Sequence, residues 1–451
     1  MLAFMGFLMV FVTIYLLVKG KSSPITVMII VPVIAAFIVG VNFDELSTYV
    51  GAGIGTVMNN AVLFIFSIIF FSVMQDLGVF DPMVDWLTEK AGNNVVAITV
   101  VTAIVGIIAH IDGATATTVL ITIPAMYPIY RRMNIRTEVL LCLVTVSMGV
   151  MNFLPWGGPV ARVASVIGMD ANDLWLSLIP VQLFGLVIII ALAIYLGILE
   201  KRRLDNLALD TAGSIASEEE VVANETTTAS SDEILEVTET KEEARQRKLL
   251  PFNTIWTFFV IAFLVWNQLP AYLVFMIGLS VTYLINYPTI AEQTESFKKH
   301  AGSALTISAT MLAAGVMVGI MDGTGMIEAM AAVLTSIIPN ALGRFTHVIF
   351  GIFSTPMGLM VSTDAYFFGF MPPILEVGEQ FGVDSYSTSV AMLMGKNLSL
   401  MISPIVPATF LALGLTEDVS YEQHLKFTMK YAWILAVLML IFAFVVGIIQ
   451  F

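Results

Sequence analysis

Along most of this 451-residue chain, long apolar runs alternate with short polar connections. The runs reach about 16 to 24 residues, close to the roughly 20 that a helix needs to cross a bilayer's hydrocarbon core. They lack the ten-residue in-and-out alternation of an outer-membrane barrel, so the spans are read as helical. The pattern predicts ten full spans and two re-entrant hairpins. The first half holds spans near 2–18, 24–41, 56–77, 136–168 and 174–199, with a hairpin at 95–130. The second holds spans near 252–267, 270–286, 303–322, 387–414 and 427–450, with a hairpin at 344–378. This divides the chain into a first membrane repeat (1–203), a linker (204–248) and a second membrane repeat (249–451). The first run, Leu2 to Val18, is read as a retained span. Its basic residues Lys19 and Lys21 follow the apolar stretch instead of preceding it, unlike those of a signal peptide.

Composition agrees with a chain that lives in lipid. Only 12% of residues are charged, against roughly 25% in soluble domains. One cysteine, Cys142, excludes an internal disulfide, and four histidines (His110, His300, His347, His424) are scattered without zinc-ligand spacing. Most of the net charge of −14 falls in the linker, whose core from Ala216 to Glu243 is rich in Glu, Ser and Thr and poor in large apolar residues. Such a stretch is expected to be a disordered tether, so the net charge says little about any substrate. Outside it, Lys19, Lys21, Arg131, Arg132, Arg136, Lys201, Arg202, Arg203, Lys298 and Lys299 all fall in loops on one side, with Arg344 the exception. The positive-inside rule makes that side cytoplasmic and puts both termini outside.

The two halves share a weak internal likeness. Gly78-Val79-Phe80-Asp81-Pro82-Met83 resembles Gly325-Met326-Ile327-Glu328-Ala329-Met330, and Asn152 and Pro159 have the same spacing as Asn397 and Pro404. Each half has an odd number of spans, so the second copy enters the membrane upside down. Inverted repeats with broken helices carry their site at the midplane between the repeats.

Four elements should line that site. The first hairpin carries His110, Asp112, Gly113, Thr115 and Thr117 in an apolar run. A non-helical tip in lipid must line protein or a water-filled cavity. Gly113 permits the turn; the hydroxyls either coordinate cations and carboxylate oxygens or bond back to their own helix. A lone intramembrane Asp such as Asp112 is costly and reads as functional, while His110 fits packing or a proton relay. The second element runs from Asn152 through Pro155, Trp156, Gly157, Gly158 and Pro159 to Arg162. So many helix breakers stop a helix, and the helix that restarts points its positive end at the gap, where an anion is favoured. Arg162 lies about one turn beyond, either as an anion partner or as a snorkelling side chain. The second hairpin offers Ser362, Thr363 and Asp364, which also suit a simple helix cap. The second broken helix offers Lys396, Asn397, Ser399, Ser403 and Pro404. Two carboxylates, several hydroxyls and few cations around one cavity match an anion that travels with cations.

At Asp112-Gly113-Ala114-Thr115, at Met151-Asn152-Phe153-Leu154-Pro155-Trp156-Gly157-Gly158-Pro159 with Arg162, and at Ser403-Pro404-Ile405-Val406-Pro407-Ala408-Thr409-Phe410, the chain resembles the citrate–divalent metal:proton symporters of the CitMHS type, in the ion transporter superfamily. The resemblance spans both membrane halves; the linker is longer and more acidic than the family's. It implies a homodimeric, elevator-type transporter of the inner membrane, whose hairpins and broken helices carry citrate bound to a magnesium- or calcium-type ion. Protons are then the coupling ions, Asp112, Asp364 and His110 the residues for proton coupling or contact with the complex, and no resident cofactor or nucleic acid is involved. One competing reading keeps the fold with a sodium-coupled di- or tricarboxylate cargo. Another is an intramembrane aspartyl protease using Asp112 and Asp364, but the Gly-x-Gly-Asp context it needs is missing, and no enzyme is expected.

Overall fold

The computed structural model describes residues 1–19, 22–215, 241–416 and 418–450. Among them every regular element is helical. The first half runs α1 (Leu2–Val18), α2 (Pro24–Ile38), α3 (Phe43–Asp76), α4 (Asp81–Ala91), α5 (Val95–Ala109), α6 (Thr115–Arg132), α7 (Thr137–Met151), α8 (Gly158–Val166) and α9 (Ala171–Ile215). The second runs α10 (Lys241–Trp266), α11 (Ala271–Asn286), α12 (Ile290–Gly323), α13 (Met326–Ile337), the short α14 (Asn340–Gly343) and α15 (Thr346–Met360). A π-helical turn (Ala365–Phe370) then leads into α16 (Met371–Gln380), α17 (Ser385–Leu398), a 3₁₀ turn (Leu400–Ile402), α18 (Pro407–Thr416) and α19 (Tyr421–Val445).

Local chemistry sets these boundaries. Asn42 and Glu45 form a capping box at the start of α3, and Thr289 and Glu292 form one at the start of α12. Each box satisfies two of the N–H groups that a helix start leaves open. Both helices are 34 residues long, and each ends at a glycine with positive φ, Gly78 or Gly325, which turns the chain into the next short helix. These are the segments whose likeness was read from sequence.

Several boundaries differ from the hydropathy reading. Spans placed at 56–77 and 303–322 begin at Phe43 and Ile290, because capped polar turns extend a helix beyond its apolar stretch. Helices α4 and α13 were not predicted; they are short, and α4 mixes apolar with charged residues. The linker is narrower than predicted: α9 continues to Ile215 and α10 begins at Lys241, so 204–215 and 241–248 are helical. Extending a formed helix costs far less than starting one, and good helix formers such as Leu and Ala continue it. The rest of the predicted disordered segment, 216–240, lies outside the described residues, as does Lys21. Five helices, α3, α12, α19 and the parts of α9 and α10 at Ala171–Leu207 and Lys248–Trp266, are long and apolar enough to cross a membrane.

The helices pack in two groups. In one, α3 lies against α12 and α11, α2 against α12, α1 against α2 and α13, and α10 against α11. In the other, α5 packs on α7 and α9, α15 and α19 pack on α17, and α7 packs on α19. Short α8 touches both groups, α13 of the first packs on α16 beside α17, and α1 reaches the π-helical turn. The closest approach within the first group is the crossing of α3 and α12. A methyl on Gly53 would overlap the carbonyl oxygen of Gly315, and one on Gly319 would overlap that of Tyr49. Small residues let membrane helices approach this closely. Gly53→Ala is therefore expected to cost about 1–3 kcal/mol through overpacking. Gly51→Ala, where an added Cβ meets nothing within 4 Å, should cost little. Thermal unfolding of the purified protein in detergent compares them; equal melting of the two variants would contradict the crossing.

Candidate functional site

The first hairpin folds back between α5 and α6, and its tip is held by side-chain contacts. Gly113 takes a positive φ, and a Cβ there would press on Trp156 at 3.3 Å. Asp112 Oδ1 accepts the Ala114 N–H (2.8 Å), while its Oδ2 is buried and has no hydrogen-bond partner. His110 is fully buried, with Nδ1 2.6 Å from Thr118 Oγ1 and Nε2 3.2 Å from Asn152 Oδ1. The tip is thus tied to the first broken helix, a tie that Trp156 strengthens by donating Nε1–H to Ile111 O (2.6 Å). Trp156 in turn packs against Phe71 of α3 and Phe275 of α11, with ring centres 4.8 and 5.2 Å away.

Between α7 and α8 the helix is interrupted from Asn152 to Gly157. A Cβ on Gly157 would come within 2.7 Å of Asn152 O, so the turn needs glycine there. Arg162, on α8, curls back to donate Nη1–H to Gly158 O (2.8 Å). Its Nε donates to Asp364 Oδ1 at 2.7 Å, and Nη2 lies 2.7 Å from the same oxygen, across 202 residues of sequence. The side chains of this pair are 12% and 14% exposed. It joins the first broken helix to the tip of the second hairpin.

The second hairpin packs tightly on the second broken helix. Thr355 Oγ1 donates to Gly395 O (3.0 Å), and Ser354 Oγ lies 2.5 Å from the Tyr366 hydroxyl. Ser362 Oγ accepts the Ala365 N–H (3.3 Å), a local cap at the start of the π-helical turn.

A cavity of about 420 Å³ opens where these elements meet, a size common for small-molecule sites. Of the residues predicted for the site, it brings together Gly113, Thr115, Asn152, Gly158, Arg162, Ser362, Thr363 and Asp364. Asn152 has a buried Nδ2 without a partner there. The others sit elsewhere. Asp112 and His110 build the hairpin tip behind the cavity wall. Thr117, Pro155 and Gly157 do not line it, and Pro404 is exposed outside it. Ser399 donates to Lys396 O and Ser403 to Leu359 O, so both hold backbone. Asn397 is buried with both polar side-chain atoms unpartnered. Lys396 is also turned away from the cavity, so among the described residues Arg162 is its one cationic lining residue. The remaining wall comes from Leu17, Ser22 and Pro24 at the α1–α2 turn, and from Pro159, Leu400, Ile405, Val406 and Pro407. Leu17, Ser22 and Pro24 carry no motif, and only the packing of α1 beside the π-helical turn brings them in.

Comparisons with known proteins show the family of the chain. The family model described as "Citrate transporter" (CitMHS) matches residues 8–395. A Bacillus subtilis (strain 168) protein named "Citrate transporter" is 35% identical over the full length of both chains. A second from the same organism, named "Mg(2+)/citrate complex secondary transporter", is 34% identical over 100% of this chain and 99% of its own. The solved structure of the Alcanivorax borkumensis YdaH transporter is similar in fold, with a TM-score of 0.56 over 90% of each chain at 12% identity. The chain is a multi-pass membrane protein that belongs to the CitMHS family of citrate transporters.

Proposed function

We propose that the chain takes up citrate as its complex with one divalent metal ion, of the magnesium or calcium type, together with protons. The observation that carries this reading is the charge of the cavity wall: among the described residues it holds one cation, Arg162, and one anion, Asp364, already paired. Fully ionised citrate would bring three negative charges to a wall of no net charge. Binding one divalent ion lowers that to about −1 and with it the cost of leaving water. The relative named for a magnesium–citrate complex supports the same cargo.

The pair also suggests how protons enter. A carboxylate of the complex that binds Arg162 must displace Asp364. Breaking one side of a buried ion pair typically costs about 3–5 kcal/mol when the other charge is left unmatched. A proton on Asp364 removes that cost, so binding of the complex and binding of a proton favour each other.

The frame for this chemistry is an inverted repeat in the cytoplasmic membrane. It is supported by the matched capping boxes, lengths and terminal glycines of α3 and α12. The hairpins are re-entrant in this reading. The ion pairs Arg131–Asp418 and Lys299–Asp76 gather at helix ends that it puts on the cytoplasmic side. The two packing groups correspond to a scaffold and a moving body in an elevator, with Leu17, Ser22 and Pro24 closing the cavity from the scaffold.

Uptake of labelled citrate into proteoliposomes is expected to need a divalent ion and to stop when an impermeant chelator removes it. Undiminished uptake of metal-free citrate would reject the complexed cargo. Asp364→Asn, which resembles the protonated acid, is expected to keep counterflow exchange of the complex but to accumulate less of it under a pH gradient. Wild-type accumulation by this variant would show that Asp364 carries no coupling proton.

A further inference from the structure

Lys396 is the one charged side chain in the second broken helix, and it is 1% exposed. Nζ donates to two main-chain oxygens, Gly358 O and Val361 O, each at 3.0 Å. These carbonyls belong to the C-terminal end of α15, where a helix leaves its last oxygens open and where a positive charge is favoured. The ring of Tyr366, in the π-helical turn that follows, lies 5.5 Å from Nζ and adds a further attraction for a cation. Every partner of this ammonium therefore belongs to the second hairpin, while the lysine belongs to the broken helix. Its charge acts as a clamp between them.

The first half makes the same join without a charge. The residue before Asn152 is Met151, where Lys396 precedes Asn397. There, hairpin and broken helix are tied by Trp156 to Ile111 O and by the contact of His110 with Asn152. A buried ammonium is thus not required to hold a hairpin against a broken helix in this fold. Close packing already does so in the second half, where Gly395 and Gly358 leave no room for a side chain between α15 and α17. The charge calls for another reason.

We propose that Lys396 Nζ is a coupling-proton site: protonated, it closes the second hairpin tip over bound substrate, and loss of the proton releases the tip. The neutral amine keeps two N–H groups for the two oxygens but loses the charge that strengthens both bonds and attracts the Tyr366 ring, so the clamp weakens when the proton leaves to water. Freed, the segment after Val361 carries Ser362, Thr363 and Asp364 away from the cavity they line. The other charged groups acting on Nζ are Asp364, which favours its charge, and Arg162, which opposes it. Tyr366, whose hydroxyl is engaged by Ser354, is the remaining titratable group facing it. An anion bound at Arg162 takes the place of the Asp364 charge that protonation there removes, so the ammonium keeps a negative neighbour while the complex is bound. The site is distinct from the proton assigned to Asp364, and it rests on the proton-symport reading above.

The test begins with the wild-type protein in proteoliposomes with magnesium and labelled citrate. If a pH gradient does not drive its accumulation, the symport reading fails before Lys396 is tested. Given that drive, Lys396→Gln and Lys396→Arg, one never charged and one always charged, are both expected to exchange magnesium–citrate in counterflow. In both, the proton-to-citrate flux ratio should fall by about one relative to wild type, and the pH dependence of exchange should flatten. Proton uptake on adding magnesium–citrate to the purified variants, followed with a dye in weak buffer, covers a variant that binds without turning over. There too the loss should be about one proton per complex. An unchanged ratio or proton uptake in either variant overturns the proposal. So does loss of all binding in both, which would make Lys396 purely structural.

Discussion

A main-chain N–H or C=O left without a partner in hydrocarbon costs several kcal/mol, and this constraint organises the molecule. The chain interrupts its helices after Asn152 and after Leu398, and turns back at two hairpin tips. None of these breaks is stable alone in lipid. They are gathered in one place, where each supplies what another lacks. Trp156 serves a carbonyl of the first hairpin, Thr355 one of the second broken helix, and Lys396 two of the second hairpin. The cavity is what remains between them.

That solution leaves polar groups on the cavity wall for a ligand. Asn152 keeps a buried Nδ2 without a partner among the described residues, and Thr115, Ser362 and Thr363 line the same space. Arg162 would be a strong anion trap by itself. Paired with Asp364 it is a conditional one, since an incoming carboxylate has to compete with a carboxylate already present. The partners come from opposite halves of the chain, so the pair ties the first broken helix to the second hairpin.

The two halves solve one architectural problem with different chemistry. The first ties hairpin to broken helix with an indole and an imidazole. The second uses an ammonium on main-chain oxygens. The indole tie involves no titratable group, whereas the second tie is made by a charge.

Hydropathy and helix breakers settle most of the architecture by themselves. Long apolar runs specify helices in lipid, and Pro-Trp-Gly-Gly-Pro cannot continue one, so the breaks and hairpins were legible within a few residues. The polar ends of α3 and α12 and the helical flanks of the linker were not, because capping and helix extension leave no mark on hydropathy. The membership of the site was only half legible. Composition picks out polar residues in apolar segments, but it cannot say which way a side chain turns. Asp112, His110, Asn397, Ser399 and Ser403 look like ligands by that test and sit behind the cavity wall or bonded to backbone. Leu17, Ser22 and Pro24 look like nothing and line it. The pairing of Arg162 with Asp364, and of Lys396 with main-chain oxygens, rests on contacts between segments distant in sequence. Only tertiary packing decides these, because an ion pair's partner is set by distance in space and not by spacing along the chain.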